Sequence, residues 1–223
     1  MHVDDALTSR YAVRAFRPDP VPEADLRHIL DLARHAPSGN NTQPWHLVVL
    51  RGAAKRRLSE RVIAARRAGG KAARNYPYMP ADLGEPYVGR RKRNGIALYT
   101  HLGIAKGDSA ASLEQQLRNY LFFDAPVGLF FFIDRSLELG SWLDMGMFMQ
   151  SVMLAARGRG LHTCPQAAWC NFHALVEEAC AVPGHLMLVS GMSLGYADGE
   201  AHANGFHADR EPLEDLVRFV GED

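Results

Sequence analysis

The chain has 223 residues, enough for one large domain with a sizeable core. Hydrophobic residues make up 47% and charged residues 22%, ordinary values for a soluble globular protein. The 25 basic and 25 acidic side chains cancel, so no global field argues for nucleic acid, and no apolar run approaches the ~20 residues of a membrane span.

Met1-His2-Val3-Asp4-Asp5 carries no basic and apolar export signal, so a soluble cytoplasmic protein is expected. Ser9-Arg10-Tyr11-Ala12-Val13-Arg14 then sets two guanidinium groups four residues apart. Taken alone, such a pair is commonly a solvated helix end. Pro22-Glu23-Ala24-Asp25 opens a helix, with proline early and acids in the first turn. Leu26, Ile29, Leu30 and Ala33 give it one apolar face, and Pro37-Ser38-Gly39 stops it. A strand is expected over His46 to Leu50 and a basic helix over about Ala53 to Ala73. From Asn75 to Gly107 the pattern breaks. Three prolines and three tyrosines fall between Asn75 and Tyr87, and a short helix is expected at Arg90 to Leu102. Long ordered loops in compact domains are usually functional, so the excursion reads as a lid.

A helix follows at Ser109 to Phe122, then Val127 to Ile133, apolar almost throughout, as suits a central strand buried on both faces. Ser141-Trp142-Leu143-Asp144 matches a capping box ahead of a helix over Met145 to Ala156, ended by Arg157-Gly158-Arg159-Gly160. Its methionines and Phe148 read as core or dimer-helix residues. Short and long strands are expected at Leu161 to Thr163 and Leu186 to Leu194. A last helix should start near Pro212, with Leu213, Leu216, Val217 and Val220 on one face. Few strands and many helices imply one small sheet covered on both faces, in a single domain spanning residues 1–223.

Several chemistries find no support. Cys164, Cys170 and Cys180 are too few for a disulfide framework. The spacing of His162, Cys164, Cys170 and His173 is unlike a zinc site, so no metal is expected. No Gly-x-Gly-x-x-Gly or P-loop is present, and Ser190 and Ser193 lack a hydrolase context. Between Arg51 and Arg93, 13 basic residues face three acids, Glu60, Asp82 and Glu85. That is either a solvated face or a patch that attracts anions.

Ala36-Pro37-Ser38-Gly39-Asn40-Asn41-Thr42-Gln43-Pro44-Trp45 brings backbone and short polar groups close together in a way that suits a flat heteroaromatic ring. A guanidinium fork just upstream suits a phosphate. Together the two stretches suggest a flavin mononucleotide site, and they resemble the FMN-dependent nitroreductase family. The resemblance extends to the Ser141 helix, the Pro165 loop and Arg210-Glu211-Pro212-Leu213. It implies an α+β fold, a mixed sheet between helix layers, and an intertwined homodimer with two FMN sites at its interface. It further implies that NADPH or NADH reduces the flavin, which then reduces a nitroaromatic or quinone-type acceptor, with no side-chain nucleophile.

The resemblance also implies roles. Arg10, with Tyr11 and Ala12, meets the phosphate, and Arg14 the pyrimidine edge of the ring. Pro37, Ser38, Gly39, Asn41 and Gln43 contact ring and ribityl chain, partly from the neighbouring subunit. Pro165, Gln166 and Ala167 form the loop that offers backbone N–H groups to the flavin. Family members often have an acid and a glycine where this chain has Gln166 and Ala167. Asn119 points toward the ring, and Arg210 completes the phosphate site, where a family lysine has no clear match. The same fold also carries dehalogenation, flavin fragmentation and azoline oxidation. A non-enzymatic flavin- or anion-binding protein is the remaining alternative.

Overall fold

The computed structural model describes residues 1–70 and 73–221. Four strands form one sheet: β1 (His46–Arg51), β2 (Val127–Asp134), β3 (His162–Gln166) and β4 (Leu186–Gly195), in the order β1-β2-β4-β3. Each falls where the apolar runs place it, within three residues at either end. Every pairing is antiparallel, so the mixed sheet implied by the resemblance is not present within one chain. The reason lies in the connections. β2 runs against both its neighbours, and the helical crossover from β2 to β3 skips a position, leaving β4 between two strands of like direction.

Alternation along β2 builds two cores. Val127, Leu129, Phe131 and Ile133 face one side, against α2 (Glu23–Ala33) and α6 (Leu139–Gly158), through Leu26, Ile29, Met145, Phe148 and Val152. Phe130 and Phe132 face the other side, with Leu58 and Val62 of α3 (Gly52–Arg67), Trp169, and Val176 of α7 (His173–Ala179). Helices therefore cover both faces of the sheet, as expected.

Four expectations need correction. The basic helix ends at Arg67, because Ala68-Gly69-Gly70 closes it with Gly69 at φ 80° and Gly70 N–H bonded to the Ala65 carbonyl; residues 71–72 of the expected helix lie outside the described residues. The next helix, α5 (Ser109–Leu117), gives way at Arg118 to a 3-10 stretch. There Phe122 and Phe123 turn to φ 55° and 51°, which buries both rings. α6 starts at Leu139, ahead of the supposed Ser141 cap. Beyond Pro212 the chain forms one 3-10 turn, Leu213–Asp215, and no helix. The four residues of the expected apolar face stay exposed there. Isolated helices this short are marginal, and this apolar face joins neither core among the described residues.

Two short helices left no clear mark in the sequence pattern, α1 (Val3–Ser9) and α7. The excursion from Asn75 is half irregular and half α4 (Tyr87–His101), a helix with no buried residue. Much of the basic run is paired: Arg51 with Glu23, Arg61 with Glu178, Arg67 with Glu114, and both Arg90 and Arg93 with Glu211.

Candidate active site

The segment after α1 runs beside β3, the edge strand. Val13 N–H bonds to the Thr163 carbonyl at 3.3 Å, and Phe16 and Arg17 bond to Phe123 and Tyr196. Asn204, almost fully buried, fixes the middle. Its carbonyl oxygen accepts from the N–H groups of Arg14 (2.7 Å) and Ala15 (3.1 Å), and its amide donates to the carbonyls of Ala15 and Asp198. No local pattern marks Asn204 for this role, because its partners Arg14 and Ala15 lie about 190 residues away.

This clamp presents Arg10, Tyr11, Ala12 and Arg14 to a cavity of about 490 Å³, which Arg210 enters from the C-terminal segment. The Arg14 guanidinium donates to the Ala12 carbonyl at 3.2 Å and lies 5.8 Å from the Phe206 ring centre. Arg210 donates to the carbonyls of Ala208 and Asp209. None of the three arginines has a carboxylate partner among the described residues. Three guanidinium groups on one cavity without a counter-charge make an anion site.

Tyr11 closes one wall, its ring centre 4.3 Å from that of His207 and 5.6 Å from that of His162. Burial, and then the Arg157 cation at 2.7 Å, hold His162 down to about 4, so it is neutral at physiological pH and accepts from Arg157. Burial pushes the Cys164 thiol up to about 12, against the opposing pull of Arg14 and Arg10. It is therefore no nucleophile.

At the end of β3, Pro165 and Ala167 line a second, largely apolar cavity of about 610 Å³, with Trp142, Tyr76, Tyr78 and Ser190. Gln166 points inward. Its amide donates to the Asn119 carbonyl at 2.7 Å and its oxygen accepts from Ser193 at 2.7 Å, so only its backbone remains for a ligand. The Asn119 side chain donates to the Gln116 carbonyl.

The Pro37 to Trp45 loop is built locally. Ser38 Oγ accepts from Gln43 N–H at 3.0 Å, and Gln43 donates to the Asn41 carbonyl. Asn40, Asn41 and Gln43 sit at φ 48–57°, a region that asparagine tolerates better than most residues. Asp144 accepts from the Gly39 N–H through both oxygens at 3.3 and 3.2 Å, which overturns its reading as a helix cap. Trp45 stacks on Phe148 at 4.8 Å. Pro37, Ser38, Gly39, Asn41 and Gln43 line neither of the two cavities within one chain. The sequence-predicted residues thus fall into three groups, Arg10 to Arg14 with Arg210, Pro165 to Ala167, and the separate loop at 37–43, while Asn119, expected toward the ring, lines neither cavity.

A model of the nitroreductase family matches residues 7–196. A 4-nitrobenzoate reductase of Pseudomonas putida is 40% identical over 99% of this chain and 96% of its own length. A nitrobenzene nitroreductase of Ectopseudomonas oleovorans is 39% identical over 99% and 97%. The crystal structure of the FMN and NADPH-dependent nitroreductase NfnB from Sphigopyxis sp. strain HMH matches at a TM-score of 0.95 and 37% identity, over all of both chains. That of NfnB from Mycobacterium smegmatis in complex with NADPH matches at 0.94 and 35%, over 98% of this chain and 97% of that one.

Proposed function

This chain belongs to the nitroreductase family, and on that premise we propose that it is an FMN-dependent enzyme that uses NADPH or NADH to reduce nitroaromatic or quinone-type acceptors. The observation that carries this reading is the convergence of Arg10, Arg14 and Arg210, without carboxylate partners among the described residues, on one cavity. The residues present fit a flavin nucleotide: a three-arginine anion site on the segment that pairs with β3, and an apolar, aromatic-walled cavity at the end of β3.

FMN, when bound, supplies the redox chemistry, accepting a hydride from the nicotinamide and passing electrons to the acceptor. Arg10 and Arg210 hold its phosphate as guanidinium forks. Arg14, on the same cavity, would set a fixed positive charge beside a bound flavin and so would favour its reduction. Pro165 and Ala167 offer their wall of the cavity to a flat ring, while Gln166 and Ser193 keep the end of β3 in place. The 37–43 loop completes the site from a second subunit, since it reaches neither cavity of its own chain. Protons come from water, because burial keeps the neighbouring thiol protonated.

No described helix is long and apolar enough to cross a membrane. The three cysteines are free thiols, and we place the protein in a reducing cytoplasm. Pairing of the basic run with Glu23, Glu178, Glu114 and Glu211 favours a solvated face there over a nucleic-acid surface.

The test is direct. The purified protein should be yellow and consume NADPH in the presence of a nitroarene. Arg10→Ala combined with Arg210→Ala should give folded, largely colourless protein. Full FMN retention in that double variant would sink the assignment.

A further inference from the structure

Beside the aromatic cavity lies a second opening of about 640 Å³, and the two share Tyr76, Pro77 and Tyr78 as a common wall. Its remaining lining includes two arginines, Arg74 and Arg91, and no acidic side chain among the described residues. We propose that Arg74 and Arg91 form an anion subsite that takes the charged group of a flat-ring substrate, either the carboxylate of an acceptor or the 2′-phosphate of the nicotinamide donor. The proposal rests on the reading of the neighbouring cavity as a flavin and substrate site.

The four basic residues of α4 are not equivalent. Arg90 and Arg93 both pair with Glu211, at 3.2 and 2.6 Å, on the side of the helix facing the C-terminal segment. Arg91 lies about 100° further round the helix and lines the opening instead. It has no ion-pair partner among the described residues. Arg74 approaches from the opposite side of the sequence excursion. Its Nε donates to Asn171 at 2.9 Å and its guanidinium carbon lies 5.1 Å from the Tyr78 ring centre. One edge of that guanidinium is thereby fixed, and its two terminal nitrogens make no hydrogen bond among the described residues.

The shared wall is held in place. The Asn75 amide donates to the Leu188 carbonyl at 3.2 Å, the Tyr76 hydroxyl donates to the Val189 carbonyl at 2.6 Å, and the Tyr76 ring meets Trp142 edge-on at 4.8 Å. A planar substrate lying against this wall would carry its polar end toward two guanidinium groups whose donors match carboxylate or phosphate oxygens.

The experiment uses the FMN-loaded enzyme, as wild type, Arg91→Gln, and Arg74→Gln with Arg91→Gln. Two ratios of kcat/KM are measured at low and high salt: 4-nitrobenzoate over nitrobenzene, and NADPH over NADH. One ratio should fall about fivefold in R91Q, the scale of one solvent-facing ion pair, and further in the double variant. In the wild type that ratio should shrink as salt screens the charges. A fall in the first ratio identifies the acceptor carboxylate, and a fall in the second the donor phosphate. Both ratios unchanged in both variants would overturn the subsite. Calorimetric titration with benzoate and with adenosine 2′-monophosphate reads the same site without turnover. Arg91-dependent binding in a protein that reduces no nitroarene would remove the proposed function and keep the subsite. Nitroarene reduction with neither ratio moved would do the reverse.

Discussion

The side chain that most shapes the arginine cavity never enters it. Asn204 satisfies two backbone donors and two backbone acceptors at once, and without it the part-buried N–H groups of Arg14 and Ala15 would lose their partner. Leaving buried polar groups unpaired costs about 1–3 kcal/mol per group. Asn204→Ala is therefore expected to destabilise the protein by roughly 2–4 kcal/mol and to weaken FMN retention, since Arg14 is carried by that backbone. A urea midpoint equal to wild type would show that the segment holds without the amide. His162 gives a pH signature at the same scale. Its folded value near 4 lies below its unfolded one, so the unfolded chain binds the extra proton. The stability tied to neutral His162 is complete above about pH 6.5 and is lost as pH falls toward 4. His162→Gln should flatten the drop in urea midpoint between pH 6.5 and 4.5 relative to wild type. Parallel curves for the two proteins would show that the ring protonates freely in the fold.

At the scale of elements, two glycines set how close the sheet comes to its aromatic layer. A Cβ on Gly128 of β2 would lie 2.5 Å from the Phe122 ring, and one on Gly191 of β4 would lie 2.4 Å from Trp169. Both rings are fully buried and cannot withdraw, so Gly191→Ala is expected to cost about 1–3 kcal/mol by overpacking. A melting temperature unchanged from wild type would mean that the Trp169 layer yields. Such close approaches explain what the sequence showed and what it hid. β2 was legible because burial on both faces leaves a nearly unbroken apolar run, and β4 because Leu186 to Val189 and Met192 and Leu194 flank its buried serines. The Arg10 to Arg14 and Pro37 to Trp45 stretches were legible because their chemistry is local. Ser141 to Asp144 had the spacing of a cap, yet Asp144 serves Gly39, 105 residues away, and no short pattern encodes that pairing. Arg91 could not be told from Arg90 and Arg93 until Glu211 was seen to take the other two. The helix expected after Pro212 had the right periodicity, but its apolar face joins neither core among the described residues.

At the scale of the whole molecule, that apolar face and the divided site point the same way. α6 exposes Leu139 (80%) and Leu143 (72%) one turn apart, and the C-terminal segment exposes Leu216 (60%) and Val220 (85%). These are the apolar side chains that the proposed dimer would cover. The 37–43 loop is anchored by Asp144 of the same α6, away from both cavities of its own chain. A second copy packed on α6 would cover the leucines and carry its own loop to the first copy's arginines. An obligate interface of this type buries well above ~2,000 Å² and persists on dilution. Leu143→Arg tests the coupling. The residue is solvent-facing in the single chain, so the change should leave the chain's own core intact while setting a charge against the partner. Light scattering should then report a monomer, and the flavin absorbance should be lost with the dimer, because the phosphate site alone would hold FMN weakly. A variant that scatters as a monomer, keeps its flavin and still reduces a nitroarene would show that one chain builds the whole site, and the 37–43 loop would lose its part in it.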